Sequence, residues 1–258
     1  MFSRNRACQL DGLMRSLRQR LRDSWPVSVL WLGGNRNHAR GYQILREQWP
    51  ETCWKEQVEF KRDLQELLGN SSEETIMFCT DDGLFFASPP NLPEPNWQRV
   101  AAVSLRLGRN CRYSHPANEH YRTPPFRGDG NLLAWRWKQA QGDFRVVYSL
   151  DAHIYPRSRM LKLLSRFDFT NPNQLEDRLN RYFSKDAPEW MLCPEQSCYV
   201  SLPINRVNTE FANRSGLQYP VSEEALLARF LSGHRLDPQN IVHPTPSGPH
   251  QEYPLCWK

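Results

Sequence analysis

The stretch "IMFCTDDGLFF", residues 76–86, decides how the rest of the chain is read. Ile76, Met77, Phe78 and Cys79 form an apolar run suited to a buried strand, and Leu84 to Phe86 resume it. Between them stand two adjacent carboxylates, Asp81 and Asp82. Neighbouring anions beside a core repel each other and lose hydration, so they need a compensating cation or an exposed turn. Thr-Asp-Asp-Gly satisfies the rules for a solvated turn. It equally suits a divalent-cation site at the carboxyl end of a central strand. Which of the two holds depends on the groups that the rest of the chain brings to that strand end.

Working outward, "PVSVLWLGG" (26–34) reads as the first strand of an α/β sheet. "ETCWKEQVEFKRDLQELLGN" places Trp54, Val58, Leu64, Leu67 and Leu68 on one helical face, closed by Gly69-Asn70. "RVAAVSLRLG" (99–108) is a strand stopped by Gly108. "NLLAWRWKQAQGDFRVVYSLDAHIYP" supplies two more, split at Gln141-Gly142-Asp143. "RSRMLKLLSRF" and "NQLEDRLNRYF" are helices separated by a turn at Asn171-Pro172, with Asn173 as an N-cap candidate. "SCYVSLPIN" is a late strand, and a helix runs from Ser222 to Gly233. Strands alternating with helices in the first half suggest a mostly parallel sheet. The expected fold is α/β: a single-domain, Rossmann-like open mixed sheet flanked by helices.

With 258 residues, 39% hydrophobic and 24% charged, the chain has the length and composition for a substantial core. Its nine Trp suit ring-stacking surfaces as well as core. Much of the net charge of +5 lies near the start, where Arg4, Arg6, Arg15, Arg18, Arg20 and Arg22 outnumber Asp11. Leu10, Leu13, Met14, Leu17 and Leu21 recur there at helical spacing, so residues 1–25 are expected to carry an amphipathic helix. Its basic face is either solvated on a docked helix or a peripheral contact with an acidic membrane. No apolar run reaches the roughly 18 residues of a membrane span, and no signal-peptide core occurs. Seven scattered cysteines, of which only Cys193 and Cys198 lie close, fit a reducing cytoplasm and no zinc motif. The charge is too dispersed for a nucleic-acid footprint, so no nucleic acid is expected as partner. Neither a dinucleotide fingerprint nor a Walker-type loop is present, so bound phosphate would need a metal and basic side chains.

In open α/β sheets, ligands lie beyond the carboxyl ends of strands, which is where Asp81 and Asp82 fall. An apolar strand, Asp-Asp at its end and a resumed strand resemble the aspartate motif of GT-A-type glycosyltransferases. "SLRLGRN" (104–110), "YSLDAHIYP" (148–156), "NPNQLEDRL" (171–179), "LPINRVN" (202–208) and "HQE" (250–252) follow in an order similar to small bacterial and algal-virus GT-A proteins related to inverting family 2. The likeness spans Val27 to Glu252. The chain departs from it with Ala152 where Gly is expected, and with Asp-Asp-Gly in place of a spaced Asp-x-Asp.

The resemblance implies a metal-dependent transferase that moves a sugar from a nucleotide-sugar donor to a hydroxyl of a glycan or other acceptor. Residues 26–110 would be the donor half and 111–236 the acceptor half, with the proline-rich tail 237–258 folding back towards the site. Asp81, Asp82 and His250 would hold Mn²⁺ or Mg²⁺. Glu176 would be the general base, with Asp151 as its alternative or as a ligand of acceptor hydroxyls. Burial or Asp177 would have to raise the pKa of Glu176, because a helix N-terminus favours its anion. Asn35, Arg36, Lys61 and Arg106 would serve the donor, and His153 and Asp177 the acceptor. Two other classes remain open: a metal-dependent phosphodiesterase or nuclease, built on the same acids, and a non-catalytic carbohydrate-binding module.

Overall fold

The computed structural model describes residues 1–21, 25–205 and 214–258. The first strand is β1, Phe2–Arg4, ahead of every strand the sequence suggests. It lies parallel to β2 (Ser28–Leu32), which lies parallel to β3 (Cys53–Glu56). Helix α1 (Ala7–Arg20) joins β1 to β2, and α2 (Arg36–Gln48) joins β2 to β3. Helix α3 (Phe60–Gly69) then leads to β4 (Thr75–Phe78). The Phe2 amide donates to the Cys79 carbonyl at 3.0 Å, so β1 runs alongside the end of β4.

Strand β5 (Gly83–Phe85) follows the two aspartates, and β6 (Val100–Ser104) lies deep in the sheet. A small ribbon, β7 (Tyr113–Ser114) and β8 (Glu119–His120), precedes β9 (Arg127–Asp129) and β10 (Leu132–Arg136). Next come β11 (His153–Pro156), α4 (Arg157–Leu164), α5 (Pro172–Arg178), β12 (Trp190–Cys193) and β13 (Tyr199–Ser201). Helices α6 (Glu223–Leu231) and α7 (Pro238–Ile241) complete the order. The main sheet runs β4-β11-β6-β12-β10-β9, and β13 pairs with β5.

The parallel pairing expected of the first half holds for β1, β2 and β3, and the larger sheet is mixed, as expected of the fold: β11 is antiparallel to both β4 and β6, β10 is antiparallel to β12, and β12 is parallel to β6. Pairing of β4 with β11 also joins the two halves of the chain in one sheet, as a single α/β domain.

The sheet is buried on both faces. Leu10 and Leu13 of α1, Tyr42 and Leu45 of α2 and Phe230 of α6 pack on one side. Phe60 and Leu64 of α3, Met160 and Leu164 of α4 and Leu175 of α5 pack on the other. Each such leucine, removed from water, contributes about 1.5–3 kcal/mol. Helix α1 is therefore a core element: Ala7 to Met14 are all buried, so it does not lie flat on a membrane surface. Among the described residues no helix is long and apolar enough to cross a membrane.

Local chemistry sets the helix boundaries. Asp63 accepts from the Val58 and Glu59 amides at 2.7 and 2.8 Å, fixing the start of α3 at Phe60. Val58 therefore precedes the helix and stands 81% exposed instead of on its buried face. Asn171, not Asn173, caps α5: its Oδ1 accepts from the Gln174 amide at 2.9 Å, and Pro172 occupies the first turn.

Candidate functional site

A cleft of about 700 Å³ opens where β1 and β4 end, walled opposite by the segment before β11 and by α5. Its size is that of a cofactor or nucleotide site. Five carboxylates line it (Asp81, Asp82, Asp151, Glu176 and Asp177) against three arginines, Arg4, Arg6 and Arg214.

Asp81 and Asp82 are neither a solvated turn nor an unaccompanied pair. The turn from β1 into α1 carries Arg6 over them, and its Nη1 donates to Asp81 Oδ1 and Asp82 Oδ2, each at 3.2 Å. Arg6 Nη2 also donates to the Asn205 carbonyl at 2.6 Å. The second oxygen of Asp81 accepts from the Arg4 amide at 3.2 Å. Burial pushes the Asp81 carboxyl up, the Arg6 charge opposes this, and Asp82 adds to it. The following Gly83 is required by space: a Cβ there would stand 1.7 Å from the Tyr199 hydroxyl oxygen.

Thr80, just before the pair, links it to the opposite wall. Its Oγ1 lies 2.8 Å from Asp82 Oδ1 and 2.5 Å from Asp151 Oδ1. Asp151 precedes Ala152, whose φ of 50° is left-handed. That is the conformation for which glycine is the ordinary residue, and it accounts for the expectation of Gly there. Behind Asp151, the buried Arg106 donates to Ser149 Oγ at 2.6 Å and to Asp143 Oδ1 at 3.3 Å, and its Nη1 lies 3.6 Å from Asp151 Oδ2. Burial pushes the Asp151 carboxyl up, but His250, Arg106 and Thr80 together hold it well below the usual carboxylate range.

His250 reaches this point because the tail returns along β13. Ser201 donates its amide to the Pro249 carbonyl at 2.9 Å, and Gln251 donates to the Ser201 carbonyl at 3.1 Å. The imidazole stands with Nε2 at 3.6 Å from Asp151 Oδ2 and Nδ1 at 3.4 Å from Arg106 Nη2. It faces Asp151 rather than the Asp81–Asp82 pair. Glu252, two residues on, accepts from the amides of Leu217, Gln218 and Tyr219 at 2.8–3.1 Å.

Glu176 projects from α5 into the cleft, and its Oε1 accepts from the Leu150 amide at 3.4 Å. Its pKa is raised above the ordinary glutamate value, first by burial and then by the Asp151 charge, with Arg106 opposing. Asp177 also lines the cleft but pairs with Arg181 at 3.2 Å.

The other sequence candidates lie elsewhere. Asn35 caps α2 through the His38 amide, and Arg36 beside it is exposed; neither lines the cleft. Lys61 pairs with Asp168 at 2.7 Å on the outside of α3. His153 is buried behind the site with Nδ1 at 3.2 Å from the Tyr155 hydroxyl, and burial followed by the Arg106 charge pushes its pKa down to about 3. Residues 206–208 of the "LPINRVN" block lie outside the described residues. Arg6, Thr80 and Ser201 are the site residues that pattern reading misses. Arg6 counts in sequence only towards a basic helix, and no motif marks the other two.

The donor set suits Mg²⁺ or Mn²⁺ in one particular manner. Among the described residues, no three His, Cys, Asp or Glu side chains gather as a ready-made metal cage. Such ions are commonly held by one or two carboxylates, with water and substrate phosphate filling the remaining positions. Asp82 and Asp151, joined through Thr80, have the chemistry for that role. No protein-family model and no curated protein matches the chain.

Proposed function

We propose that the protein is a GT-A-like glycosyltransferase that binds a nucleotide sugar and a divalent cation in this cleft and transfers the sugar to an acceptor hydroxyl. One observation carries the reading: Glu176, a carboxyl with raised proton affinity, faces the acids at the end of β4 across a cleft large enough for a nucleotide. A base near neutrality is what removal of a hydroxyl proton requires. The excess of carboxylates over arginines supports the cation, because a nucleoside diphosphate entering alone would meet net negative charge.

In this reading, Glu176 takes the proton from the acceptor hydroxyl as that oxygen attacks the anomeric carbon. Its anion is regenerated by loss of the proton to solvent. Asp82 and Asp151 would hold the cation, which when bound would supply positive charge to stabilise the departing diphosphate. Arg6 neutralises the acid pair and fixes it against β1. Arg106 and His250 keep Asp151 ionised and oriented, and burial keeps Glu176 basic.

The test is nucleoside diphosphate release from a panel of nucleotide sugars with Mn²⁺ present. Turnover of at least one donor, even with water as acceptor, is expected. A panel that is neither hydrolysed nor able to raise the melting temperature would refute the reading.

A further inference from the structure

A second cavity, of about 400 Å³, lies beside the starts of β2 and β4, away from the carboxyl ends that form the cleft. It exists because β1 is shorter than its surroundings. β1 stands between β2 and β4: it pairs with β2 from Phe2 to Arg4, and on its other side Phe2 bridges Thr80 in parallel. Strands that share a neighbour are two spacings apart, about 9.5 Å. Below Phe2, the starts of β2 and β4 therefore face each other across a slot one strand wide. Among the described residues no strand stands in it: β4 is the edge of the six-stranded sheet, and β1 is the edge of the three-stranded one.

Both walls of the slot offer backbone groups. A strand residue turns its amide and carbonyl to the same edge, and successive residues alternate. The Ser28 carbonyl accepts from the Met1 nitrogen at 2.7 Å, so the Ser28 amide points to that side as well, one step below the last pair. On β4, the Cys79 carbonyl accepts from the Phe2 amide at 3.0 Å. Met77, two residues earlier, thus turns its amide and carbonyl into the slot. Strands β3 and β11 pair with the opposite edges and do not reach these groups. The remaining two faces are apolar, with Leu17 and Trp25 on one and Leu64, Leu67 and Leu68 of α3 on the other.

An occupant that pairs both walls and buries both faces is an extended polypeptide with a continuous apolar run, the pattern of a parallel strand covered on each side. An acyl chain would fill the volume and leave the amides unpaired. Residues 75–77 of β4 give room for about three residues, at roughly 3.3 Å each. Glu73, which lines the slot just ahead of β4, is exposed and matches a basic residue at the amino end of such a segment. We infer that the slot is a strand-addition site. It takes an extended segment of a partner polypeptide, apolar for about three residues and preceded by a lysine or arginine, parallel to β2 and β4. The segment continues the ladder that β1 begins and joins the two sheets more fully, with main-chain hydrogen bonds supplying the affinity. Ser28, Met77 and the α3 leucines do not line the cleft, so the inference stands apart from the nucleotide-sugar reading.

The test uses the full chain and the peptide acetyl-Lys-Val-Ile-Val-amide, followed by amide NMR and hydrogen exchange. Saturating peptide is expected to slow exchange of the Ser28 and Met77 amides at least about tenfold and to raise the melting temperature. Acetyl-Lys-Val-Pro-Val-amide, which lacks one backbone donor, should bind at least about tenfold more weakly. Leu67→Arg, on the α3 face of the slot, should abolish binding, and Glu73→Lys should weaken it about two- to fivefold. Should Leu67→Arg not fold, the proline peptide decides. No binding at millimolar peptide overturns the inference, as do equal affinities for the two peptides or unchanged exchange at Ser28 and Met77. Binding of dodecanoate but of neither peptide also overturns it and makes the slot an apolar small-molecule pocket.

Discussion

Replacing Arg6 by methionine probes how the fold tolerates two adjacent acids. The change keeps a long apolar stem and removes the one cation among the described residues that bonds both Asp81 and Asp82. The Arg6 side chain is 11% exposed, so solvent compensates little. Breaking a buried ion pair by deleting one partner costs about 3–5 kcal/mol, because the surviving charge is stranded. Loss of the bond to the Asn205 carbonyl falls within that range. The sign with pH follows from burial, which already pushes Asp81 up in the native protein. Without Arg6, its folded pKa lies further above the unfolded value. A raised carboxyl pKa favours the folded state at low pH, so the variant's deficit should shrink as pH falls and reach its full size near pH 8. Urea unfolding followed by tryptophan fluorescence at pH 5 and pH 8 measures both quantities. Adding Asp81→Asn to the variant should recover part of the loss at pH 8. A deficit below about 0.5 kcal/mol at pH 8, the scale of an ordinary surface change, would refute the reasoning.

Glu176→Gln should lower the transfer rate by about 10²–10⁴-fold while leaving nucleotide affinity unchanged. In the unaltered protein, kcat/KM should fall as pH drops through the raised Glu176 pKa, which a pH–rate profile checks. Glu252→Gln removes the charge on which three amides converge, at a cost of about 2–3 kcal/mol in urea unfolding at neutral pH. Burial pushes the Glu252 carboxyl up, but those amides pull it lower still, so its folded pKa is depressed. That contribution is present above the unfolded pKa, roughly 4.3, and is lost as pH falls through the folded value.

The site is legible in the sequence where strong local chemistry coincides with a change of pattern. Apolar residues running into Thr-Asp-Asp-Gly mark the end of β4, because a buried strand cannot absorb two carboxylates except where it leaves the core. Asn171-Pro172 marks the start of the helix that carries Glu176. Strand β1 escapes notice because three residues have no periodicity, and Phe2 is flanked by residues that read as a basic helix. The same masking hides Arg6, whose role depends on contact with residues some 75 positions away. Strand β12 is missed for a similar reason: Trp190–Cys193 is short and continuously apolar, without the alternation of a half-buried strand. The antiparallel course of β11 cannot be read from alternation alone, since the turns preceding it reverse the chain without a helix crossover.

The most direct measurement is a co-crystal structure with Mn²⁺ and the nucleoside diphosphate selected by calorimetry. The diphosphate is expected in the cleft between β4 and α5, with manganese on Asp82 and Asp151 and the Glu176 carboxylate facing the space left for an acceptor. Nucleotide bound at another surface, or manganese held away from both carboxylates, would contradict the proposed mechanism.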